Sequence, residues 1–228
     1  FGLPRSGSTL LEKILLNSST EIVAGEETRF FNEIVDTLFL NKFDGDITKC
    51  LFKINKKYLN LINTTNSNIV FTDKSLNNFF FLGWIKQLFP NATLINCNRD
   101  PFTIISSILR NNLSRLTWAH RLDDIVKYID VYHNVLKKWQ EILDIEIYQF
   151  SYSRLIQDFN TETKKLFKFC DLDWHDDLAN FNKSKFISQT ASNIKIRDGF
   201  LTEEEQKHLT MSNFLRKKVK NPNWNLNI

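Results

Sequence analysis

The sequence has few residues of the kinds that interrupt or cross-link a chain. Its 228 residues include six glycines, four prolines and three cysteines. Cys50, Cys97 and Cys170 are widely spaced and form no C-x-x-C pair, so neither a disulfide framework nor a zinc site is indicated. This cysteine usage favours a reducing compartment, and we predict a cytoplasmic location.

Long apolar runs and a strong net charge are also lacking. No apolar run approaches the roughly 20 residues of a membrane-spanning helix. The net charge of +4 comes from 30 Lys and Arg against 26 Asp and Glu, which is too mild to indicate a nucleic-acid partner. A local basic pocket for an anionic ligand fits it better. The histidines show no metal-ligand spacing, and we predict no metal: His120, His133, His175 and His208.

Aromatic residues are abundant, with 20 phenylalanines in a chain that is 42% hydrophobic. The length indicates one domain over 1–228, whose last part, 200–228, we expect to be an irregular helical tail. The chain starts inside a motif, with no room for the strand that precedes a phosphate-binding loop. We therefore expect a fragment that lacks its N-terminal strand.

Strands and helices alternate along the chain. Apolar runs predict strands at 21–24, 69–72 (buried), 93–97 and 145–150, and helical periodicity predicts helices at 8–18, 29–40, 47–62, 78–88, from Pro101, 122–142 and 160–170. This order predicts a helix-rich α/β fold, a P-loop-like three-layer α/β/α arrangement with a central parallel sheet. Ligands bind beyond the carboxyl ends of such strands, and Glu27, Lys74, Arg99 and Tyr152 each follow a strand.

The first stretch, Gly2-Leu-Pro-Arg-Ser-Gly7-Ser8-Thr9, has the spacing of a phosphate-binding loop, G-x-x-x-x-G-K-[ST], without its lysine. An enzyme that transfers a γ-phosphoryl group needs that lysine. Arg5 offers a cation instead, and the following helix offers its N-terminal amides to an anion. Three hydroxyls are available: Ser6, Ser8 and Thr9. The alternative is an ordinary Gly/Ser turn that caps a helix.

The run PRSGSTLLEKIL resembles the 5′-phosphosulfate loop of sulfotransferases that use 3′-phosphoadenosine 5′-phosphosulfate (PAPS), closest to the protein-tyrosine and tetratricopeptide-linked branch. The resemblance covers about residues 1–200. It implies transfer of a sulfuryl group from PAPS to an acceptor hydroxyl or amine, without a metal. The loop residues implied in cofactor binding are Arg5, Ser6, Gly7, Ser8 and Thr9, with Arg5 also acting on the leaving phosphate.

A second motif, R-D-P-x-x-x-x-x-S, contains Arg99 and Ser107. It resembles the site at which this family holds the cofactor's 3′-phosphate, and an arginine beside a helix-borne hydroxyl suits a dianion. The alternatives are an ion pair of Arg99 with Asp100 or Asp73, and a Ser107 bonded to its own helix.

The segment Gly25-Glu-Glu-Thr-Arg29 resembles the G-E-T-R of the tyrosine-sulfating branch. By that resemblance Glu27 is the general base and Arg29 assists at the substrate, although Glu26 competes with Glu27 and a charged helix start is the alternative. Lys74 matches a family lysine that approaches the departing group. A salt bridge of Lys74 to Asp73 or Asp100 is its alternative.

Two further assignments follow from the resemblance. Tyr152 is expected near the adenine, with a core aromatic as the alternative, although Y-S-R-L departs from the relatives' Y-E-D-L. Ser192, Lys195 and Arg197 resemble a late segment that folds over the cofactor.

The prediction is a PAPS-dependent sulfotransferase whose acceptor is a peptide, a sugar or a small molecule. Two rivals remain open. One is a nucleotide kinase with a degenerate loop, which needs Mg²⁺. The other is a non-catalytic relative that binds a nucleotide or a partner.

Overall fold

A computed structural model describes residues 1–18, 22–25, 27–28, 30–35, 47–61, 70–111, 113–178, 203–219 and 224. Within these ranges no helix is long and apolar enough to cross a membrane. The helices described are α1 (Ser8–Leu15), α2 (Phe30–Val35), α3 (Ile47–Leu61), α4 (Leu82–Leu88), α5 (Pro101–Arg110), α6 (Leu122–Ile142), α7 (Tyr152–Gln157), α8 (Phe159–Phe169) and α9 (Glu203–Lys218).

The strands pair in parallel, as the alternating pattern predicts. They are β1 (Ile22–Ala24), β2 (Val70–Thr72), β3 (Leu94–Asn98) and β4 (Ile147–Ser151). β1 pairs with β2, and β3 pairs with β4 in the register Leu94 to Ile147. Gly2 adds a parallel bridge to Cys97 of β3. The fold is therefore α/β with parallel strands.

Side chains of the β3–β4 pair point alternately to its two faces, and helices cover both faces. Cys97 belongs to an apolar cluster with α1, α7 and α8. The neighbouring Asn96 points the other way, where its side-chain oxygen accepts a hydrogen bond from the hydroxyl of Tyr132 on α6. Burial raises the pKa of that phenol. A second cluster joins α5, α6 and α9, and a third packs α2 against α4.

The region predicted as one helix over 78–88 is a 3₁₀ helix, Leu76–Phe81, followed by α4. The indole nitrogen of Trp139 donates to the carbonyl oxygen of Phe79 at 2.8 Å, so that carbonyl is shared with α6 rather than reserved for an α-helical bond. Gly83 makes room for the ring, since a Cβ there would lie 2.9 Å from Trp139.

One other expectation, the burial of a strand, differs from the structure. The strand at 69–72 was expected to be buried, but Val70 is 44% exposed because β2 has only β1 as a described neighbour. The segment after β4 forms the short helix α7, which periodicity over six residues does not reveal. The cysteines Cys97 and Cys170 are free, and burial raises their pKa values to about 11 and about 12.

The expected irregular helical tail over 200–228 contains one continuous helix, the 16-residue α9, at residues 203–218. This helix packs on α5, where Leu215 is 2% exposed. Arg216 forms an ion pair with Asp100. Trp224 packs against Phe102, with ring centroids 5.4 Å apart. Long-range contacts of this kind stabilise a helix whose own periodicity is weak.

Replacement of Leu215 by alanine should therefore lower the free energy of unfolding by about 2–5 kcal/mol, the usual cost of truncating a buried leucine. Leu209→Ala is the matched control, because Leu209 lies on the same helix and is 48% exposed. It should change stability by less than about 0.5 kcal/mol. Urea unfolding measures both, and equal losses would contradict the docking of α9.

Candidate anion-binding and catalytic site

The residues that follow the four strands meet in two groups, as expected for the carboxyl ends of parallel strands. Lys74 follows β2 and lies 3.7 Å from Glu27, which follows β1. Arg99 follows β3, and its guanidinium carbon lies 4.3 Å from the ring centre of Tyr152, which follows β4. The pairing of the strands thus produces the pairing of the side chains.

The glycine-rich loop is attached to β3 by its backbone. The N–H of Cys97 donates to the carbonyl oxygen of Phe1 at 2.9 Å. A side chain at Gly2 does not fit, because a Cβ would lie 2.7 Å from the Cys97 carbonyl oxygen. The loop then turns: the N–H of Ser6 donates to the carbonyl of Leu3, and Arg5 has a φ of 70°.

Gly7 ends the loop and begins α1. Its φ of 104° is in the left-handed region, which glycine adopts without strain. A Cβ at this position would lie 2.8 Å from the ring of Tyr152, so the loop and the tyrosine are in close contact. The amides of Leu10 and Leu11 both donate to the Gly7 carbonyl, and the amides before them are those that a helix leaves for an outside acceptor.

Two guanidinium groups converge beside this loop. The Nε of Arg5 donates to the hydroxyl of Ser107 at 2.9 Å, and Arg99 donates to the carbonyl oxygen of Arg5 at 3.3 Å. No described carboxylate lies within 4 Å of either arginine. Asp100, the alternative partner, caps α5 and pairs with Arg216. Burial lowers the pKa of Arg99, and the charge of Arg5 adds to this effect.

The three loop hydroxyls do not share one role. Ser6 was expected to offer its hydroxyl to a ligand, but its side chain is fully buried, and its Oγ has no hydrogen-bond partner among the described residues. This oxygen lies beneath Gly2, only 3.0 Å from where a Cβ would be. Ser8 is partly exposed and Thr9 is exposed at the start of α1, so they remain the accessible hydroxyls.

Lys74 lies between two carboxylates. Its Nζ is 3.8 Å from Glu12 on α1 and 3.7 Å from Glu27, rather than paired with Asp73 or Asp100. The side chain of Glu12 is 10% exposed and that of Glu27 is 44% exposed. The two contacts therefore combine one enclosed acid and one open acid around a single lysine.

Asp73 holds the segment that carries Glu27. Its carboxylate accepts hydrogen bonds from the hydroxyl of Thr28 at 2.8 Å, the hydroxyl of Tyr58 at 2.6 Å and the N–H of Ser75 at 2.8 Å. Burial raises the pKa of Tyr58, and the neighbouring carboxylate adds to this. Asp73 is thus a structural anchor between β1, β2 and α3.

Several predicted residues lie outside the described part of the chain: Glu26, Arg29, Ser192, Lys195 and Arg197. In the ranges that are described, no three His, Cys, Asp or Glu side chains cluster as metal ligands would. Sequence reasoning missed Glu12 and the anchoring role of Asp73. A signal for Glu12 was available, since it is an acid among the buried leucines of a short amphipathic helix.

The fold and the site define an α/β protein with a lysine-free, glycine-containing loop beside two arginines. A family model described as the sulfotransferase family matches residues 1–176, and the chain belongs to this family. An uncharacterized protein of Aquifex aeolicus (strain VF5) is 26% identical over an alignment of 226 positions, and the match covers 90% of this chain. The chain spans 29% of that relative's length.

Two solved domains have a similar fold. One is the sulfotransferase domain from the curacin biosynthetic pathway, with a TM-score of 0.58, 16% identity, and coverage of 94% of this chain and 95% of that one. The other is the sulfotransferase domain of the Synechococcus PCC 7002 olefin synthase, with a TM-score of 0.56 and 17% identity. The match covers 92% of that domain and 94% of this chain. The likeness extends to the overall fold.

Replacement of Gly7 by alanine should destabilise the protein by about 1–3 kcal/mol, since the methyl group meets Tyr152 and a non-glycine residue is strained at this φ. Ser8→Ala is the control, because the next residue is already helical. Its effect should stay within about 0.5 kcal/mol. Thermal unfolding compares the two, and equally mild effects would show that the loop does not approach Tyr152.

Proposed function

We propose that the chain transfers a sulfuryl group from 3′-phosphoadenosine 5′-phosphosulfate to an acceptor hydroxyl or amine. The observation that carries this proposal is the convergence of Arg5, Arg99 and Ser107. Two like charges gathered with no described carboxylate within 4 Å are unfavourable by themselves, and a dianion offsets that cost. A nucleotide with a terminal phosphate on its ribose supplies such a group.

The residues of the loop fit the 5′ side of the same nucleotide. Gly2 and Gly7 let the loop pack closely against Cys97 and Tyr152, and the first amides of α1 have no partner from their own helix. The accessible hydroxyls of Ser8 and Thr9 are further donors. Tyr152 lies against Gly7 and Arg99, a position that supports a role beside the nucleotide as well as a packing role.

On the acceptor side, Glu27 is the proposed base. Its carboxylate is open to solvent, and it would take the proton from the acceptor hydroxyl or amine. Lys74 would face the negative charge that develops at the departing phosphate, and Arg5 would share this task. The donor, when bound, supplies the activated sulfuryl group and leaves as adenosine 3′,5′-bisphosphate.

The likeness of Gly25-Glu-Glu-Thr-Arg29 to the tyrosine-sulfating branch supports a hydroxyl acceptor, with Arg29 as the proposed substrate contact. Ser192, Lys195 and Arg197 are proposed to close over the cofactor. A peptide, a sugar and a small alcohol all remain acceptors to be screened.

Adenosine 3′,5′-bisphosphate should bind in the absence of a metal and raise the melting temperature. Arg99→Ala should weaken this binding by about 1.5–3 kcal/mol, the value of a hydrogen bond to a charged group. The affinity for adenosine 5′-phosphate, which lacks the 3′-phosphate, should decrease much less in this variant. Isothermal titration calorimetry with and without Mg²⁺ measures each affinity.

The control for this experiment is Arg110→Ala, an exposed arginine at the far end of α5, which should leave both affinities unchanged. Equal losses for the two nucleotides in Arg99→Ala would mean that Arg99 serves the fold. Binding that requires Mg²⁺ or prefers ATP would favour the kinase alternative.

Glu27→Gln should keep the affinity for adenosine 3′,5′-bisphosphate and lower turnover by about 10²–10⁴-fold, the usual effect of removing a general base. Turnover is measured with labelled donor and the best acceptor of a screen. Glu26→Gln is the control and should retain activity, since adjacent residues point in different directions. If Glu26→Gln is the inactive variant, the base is Glu26. If both variants stay active, the base lies elsewhere.

A further inference from the structure

Glu12 is a buried charge in a position where the helix pattern calls for an apolar residue. It lies in α1 among Leu11, Ile14 and Leu15, which are all buried. A carboxylate withdrawn from water costs several kcal/mol unless it is paired and hydrogen-bonded. Both of its oxygens have a partner outside α1, so the acid links this helix to another part of the site.

The two partners of Glu12 come from the end of β2. Its Oε1 accepts a hydrogen bond from the hydroxyl of Thr72 at 2.8 Å, and its Oε2 lies 3.8 Å from the Nζ of Lys74. The Thr72 hydroxyl oxygen also lies 3.4 Å from the N–H of Gly25, from which it accepts. One carboxylate is therefore fixed in orientation by a threonine and faces a lysine two residues further on.

The second carboxylate at Lys74 has more freedom. Glu27 is 44% exposed, and among the described residues its carboxylate has no hydrogen bond besides its contact with Lys74. In the proposed reaction Glu27 receives a proton, and its attraction for the ammonium group ends at that moment. A lysine held by Glu27 alone would lose its anchor when its charge is needed.

We propose that Glu12 is the positioning residue for Lys74: it keeps the ammonium group at the site while Glu27 changes its protonation state. This inference rests on the proposed function, because it assigns Lys74 a part in that reaction. Glu12 touches no reacting atom and acts through Lys74. These separate roles of Glu12 and Glu27 explain why an acid is buried in α1.

A double-mutant cycle distinguishes the positioning role of Glu12 from a purely structural role, because the two roles predict different effects on kcat. Glu12→Gln keeps the shape and the bond from Thr72 but removes the charge. It should lower kcat about tenfold or more, within the usual range of couplings between residues in contact, with little change in the KM for the donor. In a Lys74→Met background, Glu12→Gln should cause no further loss of kcat.

The matched control is Glu162→Gln. Glu162 is another enclosed acid, 11% exposed, and it pairs with Lys165 at 2.7 Å on α8, away from Lys74. Its loss should affect stability without changing kcat. Glu12→Asp is the second variant, because it keeps the charge but shortens the side chain, and it too should lose kcat. Full activity in Glu12→Asp, or multiplicative losses in the double mutant, would overturn the proposal.

A readout that does not need turnover uses the reactivity of Lys74. Acetylation of lysines, followed by mass spectrometry, should be several-fold faster at Lys74 in Glu12→Gln than in the wild type, because the contact that fixes the amine is lost. Lys138, which pairs with Glu141 on α6, is the internal standard and should not change. An unchanged rate at Lys74 would overturn the proposal.

The two proposals can fail separately. A wild-type protein that neither binds adenosine 3′,5′-bisphosphate nor uses the donor contradicts the proposed function. The acetylation rates then decide by themselves whether Glu12 holds Lys74. An active wild type whose kcat is unaffected by Glu12→Gln contradicts only the role of Glu12.

Discussion

The backbone attachment of the glycine-rich loop to β3 is the constraint on which the site depends. The carbonyl of Phe1 accepts from Cys97, and Gly2 passes so close to the strand that only a hydrogen fits in place of a side chain. Because β3 leads directly into Arg99, one strand fixes both the loop and a guanidinium group. The contact of Gly7 with Tyr152 fixes the other end of the loop. A shift of the loop would therefore move the first amides of α1 and Arg5 relative to Arg99.

The two halves of the site balance charge in opposite ways. Arg5 and Arg99 come together with no described carboxylate within 4 Å, so this half favours an anion that comes from outside the chain. Lys74 is shared between Glu12 and Glu27, so in that half the positive charge is already paired within the protein. The proposed sites of binding and of proton transfer thus have separate electrostatic environments. The family to which the chain belongs needs both, a sulfonate donor that is anionic and an acceptor that loses a proton.

Much of the fold follows from local pattern. The helix predicted at 122–142 ends at the same residues in α6, and the order of strands and helices is confirmed. The errors occur where a distant residue intervenes. Trp139 donates to a carbonyl oxygen that an α-helix at 78–88 would use, and packing on α5 stabilises one continuous helix within the expected irregular helical tail. The roles assigned to Glu27, Arg29 and the late segment with Ser192 remain predictions.

The sequence by itself determined the family and several of the residues that gather at the site, since the loop spacing and the Arg99–Ser107 motif are local features that chain geometry brings to strand ends. Only the tertiary structure decided which atoms meet. That Arg5 binds Ser107 across 102 positions, that Ser6 faces inward and that Glu12 reaches Lys74 all depend on contacts between distant segments. Periodicity specifies which face of an element is buried, but packing alone selects the neighbour that the face meets.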